Sequence, residues 1–280
     1  MPQPRRRPPT RSRPGRRGGG SDLGARIQVA ILAIPLAIAM IVLGNPVFAI
    51  GLGLLGAAGL HELFHMFERA RPARLAGFIG LAGLLVAAAL GDRSTVLLAF
   101  VGCVPLTFIV AANQRRGAGA PGISVTLLGL AWVGLAFAHA VLLRDLEHGG
   151  GLVFAVVLGT FVGDTGAYLG GRAFGRRKLA PNISPNKTIE GLVIGIVACT
   201  GVVWWDGLAN EWMGGTKGAI LGIAVALAAP VGDLFESYLK RDAGTKDTGH
   251  LFGAHGGALD RLDAVMFTAV VGYYTWLALI

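Results

Sequence analysis

The sequence predicts an all-α polytopic membrane protein, with about nine transmembrane helices and a cytoplasm-facing active-site cavity. Three observations carry this reading. Mean hydropathy is +0.61, and 53% of residues are hydrophobic against 15% charged, outside the range of soluble domains. Apolar runs recur at the length of roughly 20 residues that a hydrocarbon core of about 30 Å requires. Basic residues fall in alternate loops, the asymmetry that marks the cytoplasmic face of a membrane protein.

In chain order, residues 1–24 form a basic leader containing Arg5, Arg6, Arg7, Arg11, Arg13, Arg16 and Arg17 among Pro, Gly and Ser. Such a segment cannot build a core and is expected to be disordered and cytoplasmic, near anionic lipid. The net charge of +9 is thereby explained by topology, and no nucleic-acid partner is expected. The apolar run after the leader has no small-residue cleavage site and reads as an anchor. The membrane domain spans 25–280, with helices expected at 26–44, 46–66, 74–91, 95–112, 122–143, 151–171, 188–205, 216–238 and 261–280. Breaks fall at Asn45-Pro46, Arg71-Pro72, Gly91-Asp92, Gly119-Ala120-Pro121, Gly149 to Gly151, Pro181 to Pro185 and Gly214-Gly215. Cys103 and Cys199 lie inside apolar runs without metal spacing and read as small buried hydrophobes.

Orientation follows from the loops. Arg69, Arg71 and Arg74, then Arg115 and Arg116, then Arg172, Arg176, Arg177, Lys178 and Lys187, then Lys240, Arg241, Lys246 and Arg261 share one side with the leader. The other side holds Arg93, Arg144 and Lys217. The N-terminus and the active site are therefore expected in the cytoplasm and the C-terminus outside, in a multi-pass protein of the cell (inner or plasma) membrane.

Two stretches, within the expected catalytic part 160–265, carry chemistry. From Gly232 to Asp263, six carboxylates stand among four cations at a helix boundary. Asp233, Glu236 and Lys240 are spaced to share one helix face, with Ser237 beside them. Asp260 and Asp263 sit at the N-terminal end of the last helix, where the dipole favours negative charge. Two carboxylate-bearing faces at one boundary suit Mg²⁺ with substrate phosphates. His255-Gly256-Gly257 reads as a turn whose amides approach a phosphate, and Lys240, Arg241, Lys246 and Arg261 as its neutralising cations. The second stretch, 163–191, has Asp164 inside an apolar segment, where an ionisable residue is a functional candidate. Its Arg172 and Lys187 suit phosphates, and Ser184 to Thr188 reads as a shaped turn.

These residues carry a resemblance. The run S-x-x-K-R-x4-K-D-x-G-x-L-x-x-x-H-G-G-x-L-D-R-x-D, from Ser237 to Asp263, resembles the signature of phosphatidate cytidylyltransferases. The run D-T-G-A-Y…G-R-x-F-G…I-S-P-x-K-T-x-E-G, from Asp164 to Gly191, is similar to that family's second stretch. The chain departs from the pattern at Gly253-Ala254, where Pro-Gly is expected, and at Ala264, where Ser is usual. The resemblance implies condensation of CTP with phosphatidate to CDP-diacylglycerol and pyrophosphate, with Mg²⁺. It implies Asp233, Asp260 and Asp263 at the metal, and Lys240, Arg241, Lys246, Asp247, His255 and Arg261 as catalytic residues. The implied substrate pocket comprises Asp164, Arg172, Ser184, Lys187, Glu190, Ser237, Gly256 and Gly257. A monovalent cation beside Mg²⁺ and a homodimer stay open alternatives.

Other classes compete. A CTP-dependent lipid kinase would use similar charges but release CDP. His61-Glu62-Leu63-Phe64-His65 matches the H-E-x-x-H pattern of an intramembrane zinc metalloprotease, although no third-ligand motif accompanies it. Its plainer reading is a polar helix face that packs or lines the cavity. An ion-coupled transporter would use Asp164 but would not need the Gly-rich basic loop.

Overall fold

The computed structural model describes residues 35–114, 119–245, 248–249 and 256–280. Its architecture is a helical bundle. The helices are α1 (35–43), α2 (Asn45–Met66), α3 (Arg74–Leu90), α4 (Arg93–Asn113), α5 (Gly119–Gly129), α6 (Leu135–Asp145), α7 (Gly149–Phe174), α8 (Ile189–Ala209), α9 (Gly214–Asp242) and α10 (Leu259–Leu279). A π-helical turn, Leu130–Gly134, joins α5 to α6 as one continuous span.

Among the described residues, seven helices are long and apolar enough to cross a membrane. Arg74–Leu90 is apolar but shorter, and most of the expected 26–44 helix lies outside the described residues. The count of nine spans is therefore not reached on the described residues, while the polytopic all-α class holds. Large apolar side chains such as Leu97, Leu98, Val101 and Phe108 are exposed on α4, as an apolar solvent allows.

Several helices outrun their expected ends. The expected 216–238 helix is Gly214–Asp242, and 151–171 is Gly149–Phe174. Hydropathy stops at the first charged turn, but the hydrogen-bond ladder does not. At 1.5 Å per residue the 29-residue α9 is roughly 43 Å long, against a hydrocarbon core of about 30 Å. That length lets its last turns, with Glu236, Lys240 and Arg241, extend past such a core while still helical.

The expected turn at Ser184 to Thr188 is corrected to a strand. β1 (Lys178–Ala180) and β2 (Ser184–Thr188) pair antiparallel, Lys178 opposite Thr188 and Ala180 opposite Ser184. Pro185 suits so small a sheet, which is all edge. Thr188 then caps α8, its hydroxyl accepting from the Gly191 amide at 3.1 Å.

The helices that hold the site pack α7 on α8, α8 on α9 and α9 on α10, with α10 returning to α6 and α7. Small residues set the spacing: a Cβ at Gly195 would stand 2.8 Å from the Gly163 carbonyl oxygen. Buried hydroxyls add links, as Thr160 to Thr268 at 3.0 Å between α7 and α10. Cys103 and Cys199 are buried and free, as expected.

Candidate active site

α7, the β-hairpin, α8, α9 and α10 enclose a cavity of about 780 Å³. Gly159, Cys199 and Ala226 line its apolar floor, and Asp164, Asp233, Glu236, Asp260 and Asp263 line its charged part with Arg172, Lys187, Lys240 and Arg261. Packing explains the convergence. A side chain at Gly232 would collide with the Asp263 carbonyl, so bare backbone lets α9 and α10 touch where Asp233 and Asp263 project.

Six of these charges have a defined setting. Lys187 on β2 pairs with Asp233 on α9, joining the hairpin to the helix bundle. Lys240 Nζ donates to Glu236 Oε2 at 2.9 Å and to Asp260 Oδ1 at 2.8 Å. Glu236 is buried, and among the described residues its Oε1 has no hydrogen-bond donor. A buried unpartnered carboxylate oxygen is costly. Asp263 Oδ1 accepts a local bond from the Ala264 amide at 2.8 Å. Among the described residues, no group of three or more His, Cys, Asp or Glu side chains is arranged to hold a metal ion by itself. An open set of carboxylates does fit Mg²⁺, which keeps waters and takes one or two carboxylates plus substrate phosphates.

Of the expected residues, Asp164, Arg172, Ser184, Lys187, Asp233, Lys240, Asp260, Arg261 and Asp263 line this cavity. Lys246, Asp247 and His255 lie outside the described residues. Others are placed elsewhere. Glu190 accepts from the Arg176 amide at 3.0 Å and the Arg177 amide at 3.1 Å, closing the turn after α7, and does not line this cavity. Arg241 donates to the Ile183 carbonyl at 3.4 Å, holding the hairpin down. Ser237 contacts Asp233 Oδ1 at 3.5 Å from beside the cavity.

The 256–259 turn corrects a further expectation. Gly256 has φ +79°, a conformation suited to glycine. The Gly257 amide does not face the cavity as a phosphate donor; it donates to Asp260 Oδ2 at 2.7 Å. The same oxygen accepts from the Thr248 amide at 3.2 Å and lies 3.0 Å from the Thr248 hydroxyl. Asp260 thus ties the turn to Lys240, with only Oδ1 near the cavity cations.

Among the described residues the H-E-x-x-H pattern assembles neither a zinc centre nor one polar face along the cavity. Glu62 is buried and accepts from the Ala258 amide at 2.8 Å and the Leu259 amide at 3.0 Å. His61 and His65 face outward, His65 within 3.8 Å of Glu68. Glu62 was legible as a polar residue packing by the cavity, but its contacts with Thr248 and the 256–259 turn were not; the separation of 196 residues between Glu62 and Ala258 leaves no local pattern.

Residues 24–279 match the Cytidylyltransferase family. A protein of Synechocystis sp. (strain ATCC 27184 / PCC 6803 / Kazusa), named phosphatidate cytidylyltransferase, is 30% identical over 89% of this chain and 94% of its own length. One of the same name from Bacillus subtilis (strain 168) is 29% identical over 90% of this chain and 97% of its own. Another, from Mycobacterium leprae (strain TN), is 40% identical over 154 residues, 54% of this chain. The chain spans about half the length of this mycobacterial relative, 48%.

Proposed function

The chain belongs to the cytidylyltransferase family, and from that premise we propose that it condenses CTP with phosphatidate to CDP-diacylglycerol and pyrophosphate. The observation that carries the proposal is the cavity itself, in which carboxylates and cations meet above an apolar floor. A lipid phosphate and a nucleotide triphosphate both require such a boundary.

In the reaction a phosphatidate phosphate oxygen attacks the α-phosphorus of CTP. A new P–O–P bond forms, the bond from the α-phosphorus to the bridging oxygen breaks, and pyrophosphate leaves with that electron pair. The nucleophile is already ionised near neutral pH, so no general base is needed. Positioning and charge stabilisation are the main requirements. Mg²⁺ bound by Asp233 and Asp263, with Asp164 near them, would neutralise triphosphate charge and orient the phosphates. Lys187, held by Asp233, and Lys240, held by Glu236 and Asp260, present ammonium groups to the phosphates, with Arg172 and Arg261 on the same cavity. The apolar floor at Gly159, Cys199 and Ala226 receives the lipid end.

Purified protein given CTP labelled in the cytosine ring, phosphatidate and Mg²⁺ is expected to move label into the lipid phase and release pyrophosphate. Transfer of the terminal phosphate alone, with CDP released, would replace this reading by a lipid kinase.

We place the site on the cytoplasmic side, from the alternation of basic loops. Asn182, in the β-hairpin, and Glu147, before α7, are exposed at opposite ends of that helix. Asn182→Cys is expected to react with an impermeant thiol reagent only from the cytoplasmic side, and Glu147→Cys only from the other. The opposite pattern would invert the topology.

A further inference from the structure

We infer that Glu62, on α2 and far from the 163–263 stretches, is a positioning residue: it anchors Thr248 and the 256–259 turn and, through Asp260, fixes Lys240 at the cavity. This inference rests on the proposed activity.

A carboxylate in an apolar helix is costly to bury unless its oxygens are satisfied. Glu62 is 6% exposed, and both of its oxygens are satisfied from the far end of the chain. Oε1 accepts from the Ala258 amide at 2.8 Å; Oε2 accepts from the Leu259 amide at 3.0 Å and lies 3.1 Å from the Thr248 hydroxyl. The enclosure needs bare backbone. A Cβ at Gly249 would stand 2.7 Å from Oε1, and one at Gly257 would collide with Oε2.

The helix it serves lacks a local cap. The N-cap position of α10 is Ala258, which offers no side-chain acceptor. Glu62 supplies the missing acceptor and a negative charge at the positive end of the helix. The cap is thereby a tertiary link between α2 and α10.

The link continues to the cavity. The Thr248 hydroxyl lies within hydrogen-bond distance of both Glu62 Oε2 and Asp260 Oδ2, at 3.1 and 3.0 Å, and its single proton serves one of them at a time. Asp260 Oδ1 holds Lys240 at 2.8 Å. Only Thr248 stands between Glu62 and the carboxylate that aims a phosphate-facing cation. A carboxamide at position 62 keeps the volume but turns an NH₂ group toward amide donors.

The test is Glu62→Gln in the full chain, purified in detergent and assayed with CTP, phosphatidate and Mg²⁺. The expected result is a loss of roughly tenfold or more in kcat/KM for CTP, at least about threefold of it in KM. Hydrogen exchange in the 256–260 peptide is expected to rise while the middle of α10 stays protected. A loss confined to kcat, in proportion to the misfolded fraction, would overturn the positioning role, as would an unchanged KM with unchanged exchange. Where Glu62→Gln does not accumulate folded, Thr248→Val cuts the bridge alone and is expected to raise KM for CTP; unaltered KM there overturns the inference. Wild-type protein that forms no CDP-lipid would overturn the functional reading instead, and the exchange experiment would still decide the anchor.

Discussion

Asp233→Asn and Asp263→Asn are each expected to lower turnover at least about a thousandfold, some 4 kcal/mol of barrier, while leaving the protein folded. The two residues meet because α9 and α10 touch at Gly232, and both line the cavity with Asp164. Like charges so placed repel, and a divalent cation is the natural compensation once substrate phosphates arrive. Removing one of them relieves repulsion, so stability is expected to hold even as the metal is lost. Asp233→Asn also releases Lys187, its ion-pair partner on β2, and should raise KM for CTP beyond the effect at Asp263. Initial rates over a range of Mg²⁺ concentration, with thermal unfolding as control, check this. Near-normal turnover at an unchanged Mg²⁺ midpoint would remove that residue from the metal set.

The residues that sequence reading reached are those whose relation is local. Asp233, Glu236 and Lys240 recur on one helix face, and the Asp260–Asp263 pair opens the next helix, so both sets could be read before their junction was seen. The junction depends on Gly232, which in sequence is one glycine among 44. The β-hairpin was read as a turn because Ser-Pro-Asn has turn chemistry, and strands of three and five residues are too short to show alternation. Glu62 was read through the two histidines that flank it. Its true partners, Ala258 and Leu259, donate through backbone amides, which no side-chain pattern records. The Gly257 amide was assigned to a phosphate for the same reason: a bare glycine turn shows that donors are available and not which acceptor takes them.

Lys240→Met is expected to remove both turnover and a substantial part of the stability, which separates it from the aspartate variants. Its ammonium is shared between Glu236 Oε2 at 2.9 Å and Asp260 Oδ1 at 2.8 Å, and Glu236 is 2% exposed. Lys240 is the cation paired with Glu236 among the described residues, so its loss would take that ion pair from a buried carboxylate. Breaking a buried pair from one side costs up to about 3–5 kcal/mol when the remaining charge stays buried and unpaired, and less as that carboxyl takes up a proton. An apparent melting temperature lower by on the order of 10 °C is expected. The double variant Lys240→Met/Glu236→Gln removes the stranded charge as well and is expected to recover most of that loss. It should not recover turnover, since no ammonium then faces the phosphates. Thermal unfolding and CDP-lipid formation, measured on both variants, decide the matter: a double variant no more stable than the single one would show that Lys240 does not neutralise Glu236, and an active one would show that Lys240 does not serve the reaction.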